Sequence, residues 1–321
     1  MQIPMKTVVV LAGGYSTEHQ ISLASGRTAE AAFIEAGYKV LFVVLKKDGF
    51  WLQDQLIKLT DLSADFVFNV IHGTPGEDGH IAGMLEVFGI PHSSCPTFQS
   101  ALTFNKARCN QILRTAGYDV PEGQLFTQMP NLDLFNTWNF PLFVKPNRAG
   151  SSFGVTRVEA AEELKDAFNY AFSEDDEVLV EEGVIGTEVG CGVLRYNGEE
   201  PEAIAITEIV PTEAKFFDYK AKYEGKSQEI TPARISNEAA DKISETSKAV
   251  YDHLKLEGIV RIDFIITTAQ EPVMIEINSI PGLSQASIIP QQIAHRGWEL
   301  SEVLAQLVEE SIARNQAKKI G

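Results

Sequence analysis

The chain has 321 residues, 44% apolar and 22% charged, which is enough to bury a large core divided over two or three units. Forty-four acidic residues against 27 basic ones leave a formal charge of −17. That balance excludes a diffuse basic surface for nucleic acid or an anionic membrane, so a polyanionic ligand must meet a local pocket of positive charge or metal ions.

Val8–Leu11 is an apolar run of about half a dozen residues with its neighbours, closed by Gly13 and Gly14 and followed by polar sequence. It predicts a buried strand and turn rather than a signal peptide. Leu23, Ala29, Ala32, Phe33 and Ala36 recur at helical spacing from Ser22 to Ala36, with Gly37 as the stop. Val40–Leu45 and Phe66–Ile71 read as further strands. Strands alternating with helices predict a parallel sheet in an α/β unit that ends near Pro91–Thr97.

One helix is predicted from about Ser100 to Ala116, closed by Gly117. Strands are predicted at Pro141–Lys145, Val155–Val158 and Glu177–Glu181, with a helix carrying Leu164, Ala167, Phe168, Ala171 and Phe172 on one stripe. The last third predicts strands at Val189–Leu194 and Ala203–Val210, a polar segment from Pro211 to Ala233, and a helix near Glu238–Leu254. Two strands, Arg261–Thr267 and Val273–Asn278, then precede a final helix bearing Leu300, Val303, Leu304, Leu307, Val308 and Ile312. Cys95, Cys109 and Cys191 form no CxxC pair, which argues against a disulfide framework or cysteine zinc site and for a reducing compartment. No apolar stretch approaches the ~20 residues of a transmembrane helix, so the expectation is an intracellular, cytoplasmic protein that engages no membrane.

Four segments carry chemistry. In RIDFII, Arg261, Asp263 and Ile265 share a strand face; in VMIEIN, Glu276 and Asn278 do. Hairpin pairing of the two strands would converge one Arg, two carboxylates and a carboxamide, a donor set that suits Mg²⁺ beside substrate phosphates and equally suits a solvated strand face. The Pro-Gly loop Ser279–Pro290 that follows can bring backbone N–H groups and Ser287 over the same spot. FVKPNRAGSSFGV delivers Lys145 on a strand and then a Gly/Ser-rich loop, a composition that closes on phosphates but also occurs in plain hairpins. FFDYKAKYEGKSQEITPAR gathers Lys215, Lys220, Lys222 and Lys226 with Tyr219 and Tyr223, as either a solvated basic loop or a cover over an anionic substrate. NVIHGTPGEDG sets His72, Glu77 and Asp78 among glycines at a strand end, where α/β proteins bind ligands.

These segments, in this order, resemble the D-alanine–D-alanine ligases of the ATP-grasp superfamily. LAGGYSTEHQISLASG, IHGTPGEDG, ALTFNKAR, VKPNRAGSSFGV, VLVEEGVIGTEV, FFDYKAKY, RIDF and EINSIPGLSQASIIPQQ carry the resemblance over most of the chain. It implies an α/β (α+β overall) ATP-grasp fold: a Rossmann-like parallel-sheet domain over 1–98, a central subdomain over 99–188 and a C-terminal one over 189–321 with a lid at about 211–233. It also implies ATP-dependent ligation of two D-alanines through a D-alanyl phosphate, for peptidoglycan precursor synthesis, in a homodimer through the N-terminal unit; the acidic balance already argues against a nucleic-acid partner.

Residue by residue, the resemblance assigns Asp263, Glu276 and Asn278 to two Mg²⁺ (or Mn²⁺). It assigns Lys106, Lys145 and Lys222 to the ATP phosphates, Glu181 to the adenine end and Glu188 to the ribose. Arg261 and the Gly282 N–H would stabilise the tetrahedral intermediate. Glu18 would hold the ammonium of the first D-alanine, and Ser287 with Lys222 the carboxylate of the second. Ser151 and Tyr223 would link Glu18 to the closed lid, and His72 would lie near the substrates. Gln20, Asn105, Ala149 and Lys220 depart from common family residues, none of them at a metal or catalytic position. The KY pattern of the lid favours an amine nucleophile over D-lactate. Other carboxylate–amine ligases of the superfamily and an inactive nucleotide-binding module are the competing readings, and the intact acidic face argues against the second.

Overall fold

The computed structural model describes residues 5–196, 198, 200–211 and 227–320. The chain begins with β1 (Thr7–Gly13), α1 (His19–Glu35), β2 (Lys39–Lys46), β3 (Gly49–Leu52), β4 (Gln55–Ile57), β5 (Phe66–Asn69) and α2 (His80–Val87). β1 is an interior strand of a sheet of order β4-β3-β2-β1-β5 and pairs in parallel with β2 and β5. Its unbroken apolar run reflects burial on both faces. Val8 and Val10 pack with Phe33 of α1 and with Val303 and Leu304 near the C-terminus, while Val9 and Leu11 pack with Val43, Ile81 and Leu85. The sheet is not purely parallel as expected, because β3 and β4 add an antiparallel hairpin to its edge. Those short, half-exposed strands have no clean apolar alternation to announce them.

Next come α3 (Thr97–Phe104), α4 (Lys106–Thr115), β6 (Gly123–Phe126), β7 (Leu142–Pro146), β8 (Thr156–Val158), α5 (Leu164–Phe172) and β9 (Val178–Glu182). The strands form an antiparallel sheet of order β6-β9-β7-β8, with the apolar stripe of α5 packed against it. The single helix predicted over 100–116 is two helices. Asn105 is extended, with φ −89° and ψ 91°, and its side-chain oxygen accepts the Arg108 N–H at 3.1 Å. An N-cap therefore interrupts an otherwise continuous apolar period.

The remainder comprises β10 (Gly186–Arg195), β11 (Pro201–Pro211), β12 (Ser227–Ile230), α6 (Asn237–His253), β13 (Val260–Thr267), β14 (Pro272–Asn278), α7 (Ile288–His295) and α8 (Leu300–Ile320). Its sheet has order β12-β11-β10-β13-β14 and is antiparallel throughout. The loop expected to run to Pro290 ends at Ser287, because Pro290 falls in the first turn of α7, where a helix needs no N–H from it. The three cysteines are free and buried, and burial pushes each thiol up to about 12. No helix among the described residues is long and apolar enough to cross a membrane.

Glu208 on β11 accepts two hydrogen bonds from the Arg234 guanidinium, both at 2.8 Å. These bonds hold its carboxyl below the usual carboxylate range despite partial burial. A lowered native value means stability that is present above the unfolded pKa, about 4.3, and lost as pH falls through the native one. Urea unfolding of Arg234→Met against wild type should show a deficit at pH 7 that shrinks below pH 4. A deficit independent of pH would assign the effect to packing.

Candidate functional site

The polar face predicted for the last two strands exists. In the β13–β14 register Arg261 faces Asn278 and Asp263 faces Glu276, with an irregularity after Asp263. Arg261 and Asp263 are 7% and 5% exposed, so their charges must be met inside the protein. Arg261 donates to both Asp263 oxygens at 2.7 Å, and the Asn278 amide donates to Asp263 Oδ2 at 2.9 Å and approaches Glu276 Oε1 at 3.4 Å. Gly190 opposes Asp263 from β10, and a Cβ there would lie 2.9 Å from Asp263 Oδ1.

A cleft between this face and the β7–β9 sheet is lined by Lys106, Lys145, Glu181, Glu188, Asp263 and Glu276. Lys145 on β7 forms an ion pair with Glu181 on β9 at 2.5 Å, and both are buried. The second Glu181 oxygen accepts from Asn110 of α4 at 2.8 Å, completing the pairing of a charge that could not otherwise stay inside. The break at Asn105 starts α4 at Lys106, whose ammonium donates to the Ala149 carbonyl at 2.7 Å and lies 3.6 Å from Glu276. Glu188 enters on β10 opposite Ile265.

A second cavity adjoins the first. It is lined by Glu18, His72, Glu77, Gly282 and Ser287, and it shares Gly150, Ser151 and Arg261 with the cleft. Glu18, 6% exposed, sits at the start of α1 and accepts a hydrogen bond from the Ser151 hydroxyl. Gly150 admits this carboxylate, since a Cβ there would come 2.5 Å from Glu18 Oε2. His72 is buried, with Nδ1 3.9 Å from Glu77 Oε1. Ser287 begins α7, its hydroxyl 2.8 Å from that of Ser284. Lys222 and Tyr223, with Lys215, Tyr219, Lys220 and Lys226 of the expected lid, lie outside the described residues.

The two cavities differ in chemistry. Two lysines, an arginine and an acidic face suit a polyphosphate with divalent cations. Asp263, Glu276 and Asn278 are hard-oxygen groups within reach of one another, as Mg²⁺ binding needs. Among the described residues no group of three or more His, Cys, Asp or Glu is placed to hold a metal, and the group beside the two carboxylates is the Asn278 amide. The second cavity offers the carboxylates of Glu18, Glu77 and Glu229 together with the Arg261 guanidinium, serine hydroxyls and loop backbone, which suits a small zwitterion.

Several supporting residues escape sequence reasoning. Asn147 is wholly buried, accepts the Ala107 N–H at 2.8 Å and donates to Glu177 at 2.7 Å. Gln292 is also wholly buried, accepting from Gly192 N–H at 2.9 Å and donating to the Gly190 carbonyl at 2.8 Å. A lone amide in a loop or helix carries no periodic signal, and only the fold reveals its partners.

Family models described as "D-ala D-ala ligase N-terminus" and "D-ala D-ala ligase C-terminus" match residues 7–64 with 53–95 and residues 122–309. The chain is similar to the D-alanine–D-alanine ligase of Flavobacterium johnsoniae, at 41% identity over 96% of this chain and 100% of the relative. The corresponding ligase of Christiangramia forsetii is 40% identical over 96% and 98%. Among solved structures, D-alanyl-alanine synthetase A from Vibrio cholerae superposes with a TM-score of 0.87 at 29% identity, covering 97% of this chain and 99% of that one. The VanG D-Ala:D-Ser ligase from Enterococcus faecalis gives 0.82 at 32% identity, over 96% and 99%.

The Lys145–Glu181 pair yields a stability test independent of any ligand. Removing one partner strands a buried charge at a cost of about 3–5 kcal/mol, whereas removing both does not. In urea unfolding, Lys145→Met should be markedly less stable than the Lys145→Met/Glu181→Met double variant. A double variant at least as unstable as the single one would show that the pair is not the unit that matters.

Proposed function

The chain belongs to the D-alanine–D-alanine ligase family and has its ATP-grasp fold, and on that premise we propose that it joins two D-alanines to D-alanyl-D-alanine with ATP, releasing ADP and phosphate. The observation that carries the reading is the pair of adjoining cavities sharing Arg261, Gly150 and Ser151, one suited to a polyphosphate and the other to a zwitterion. The product is a dipeptide for peptidoglycan precursor synthesis.

In this reading Glu18 holds the ammonium of the first D-alanine, oriented by the Ser151 hydroxyl, and His72 closes the same side. Lys106 and Lys145, with Lys222, offset phosphate charge, while Glu181 and Glu188 contact the adenine and ribose of ATP. The D-alanine carboxylate attacks the γ-phosphorus, the bond to the ADP oxygen breaks, and an acyl phosphate forms. The free amine of the second D-alanine, its carboxylate held by Ser287 and Lys222, then attacks the carbonyl carbon. Arg261 and the Gly282 N–H stabilise the oxyanion of the tetrahedral intermediate. Collapse breaks the carbon–oxygen bond to phosphate, which leaves, and the amine loses its proton. Asp263, Glu276 and Asn278 would hold two Mg²⁺ or Mn²⁺, whose contribution is to neutralise the ATP phosphates. Tyr223 keeps the role that the resemblance assigns to it, linking to Glu18 and Ser151.

Phosphate release that needs both ATP and D-alanine, with D-alanyl-D-alanine as product, is the expected result for the purified chain. D-Alanine should outpace D-lactate and D-serine as second substrate; preference for either of the others would overturn the assignment of the second substrate. Glu276→Gln should abolish ligation with the fold intact by circular dichroism, and near-normal turnover would mean that the acidic face does not hold the metal.

A further inference from the structure

Ser25 lies on α1, is wholly buried, and has no part in the roles above. Its hydroxyl oxygen is 3.1 Å from His72 Nε2 and accepts the Leu283 N–H at 3.2 Å. The two partners come from distant parts of the chain. His72 follows β5 in the N-terminal sheet, and Leu283 follows Gly282 in the loop between β14 and α7.

A hydroxyl carries one proton and two lone pairs. One lone pair of Ser25 is taken by the Leu283 N–H, and among the described residues His72 Nε2 is the remaining hydrogen-bond partner. If Nε2 bore a proton, Ser25 would accept twice and its own buried proton would have nowhere to go. The arrangement in which every group is satisfied has Ser25 donating to Nε2. In a neutral ring this puts the proton on Nδ1, the nitrogen 3.9 Å from Glu77, and both residues line the second cavity.

We propose that Ser25 is a positioning residue: its hydroxyl donates to His72 Nε2, fixes the Nδ1–H tautomer of that ring, and ties the Gly282–Leu283 peptide to α1. The proposal rests on the reading of the cavities given above. Two consequences follow for the reaction. His72 enters the substrate cavity as a hydrogen-bond donor and not as a base, because its lone pair is occupied. Gly282, whose N–H faces the oxyanion in this reading, is anchored one residue along the chain. The loop there is tight, with a Cβ at Gly282 only 2.8 Å from the Ser287 hydroxyl. One hydroxyl thereby sets a donor for the first substrate and a donor for the intermediate together.

The test is nitrogen-15 NMR of the histidine-labelled full chain at about pH 8, where an ordinary imidazole is neutral. His72 is assigned by the signals lost in His72→Gln. The expected spectrum shows a protonated Nδ1 and an unprotonated Nε2; an Nε2–H tautomer overturns the proposal. Ser25→Ala should release this preference and lower kcat roughly 10- to 100-fold while KM for ATP stays within about twofold, since Ser25 does not line the nucleotide cleft. A folded Ser25→Ala variant with unchanged kcat and an unchanged tautomer contradicts the proposal. If that variant does not fold, the wild-type spectrum still decides it. Absence of D-alanine-dependent phosphate release in the wild type would instead sink the assigned reaction and leave the tautomer result standing.

Discussion

The bidentate ion pair between Arg261 and Asp263 is the constraint around which the rest of the site is arranged. Two charges lie almost wholly inside a sheet among the buried apolar side chains of Ile262, Phe264 and Ile277, and a buried pair is tolerable only when its remaining hydrogen-bonding capacity is met. Asn278 supplies part of that from the partner strand, and Gly190 leaves the space. The β13–β14 register, with residues 261 and 263 facing 278 and 276, follows from the same need. Because Arg261 lines both cavities, the pair that stabilises the sheet also marks the line along which the two ligands would meet.

An overall charge of −17 makes the local concentration of cations more meaningful. Lys106, Lys145 and Arg261 are drawn from α4, β7 and β13, and each has a carboxylate partner: Glu276, Glu181 and Asp263 respectively. These pairs keep the cations inside the protein without a ligand. Each pair also contains a carboxylate and a cation that a nucleotide and its metals can engage separately. Buried amides, Asn110, Asn147 and Gln292, add polar pairing between elements distant in the chain.

How much of this was legible in the sequence depended on the distance between partners. Arg261, Asp263, Glu276 and Asn278 stand on adjacent strands with strict alternation, so their shared face was readable. The stripe on the last helix and the double-sided burial of Val8–Leu11 were readable for the same reason. The break at Asn105 was hidden because apolar spacing continues through it, and the start of α7 because a proline in a first turn looks like a loop. Asn110 and Glu181 are 71 residues apart, and Ser25 and Leu283 are 258 apart. No local pattern signals such pairs, and they form only once three sheets have been brought together.

The central claim is that this arrangement moves the γ-phosphoryl group onto a D-alanine carboxylate before the peptide bond forms. The direct measurement is turnover with D-alanine carrying oxygen-18 in its carboxylate, followed by mass analysis of the released phosphate. An acyl phosphate requires that the attacking carboxylate oxygen leave with phosphorus, so each phosphate should carry one labelled oxygen. Unlabelled phosphate alongside full ligation would contradict the account.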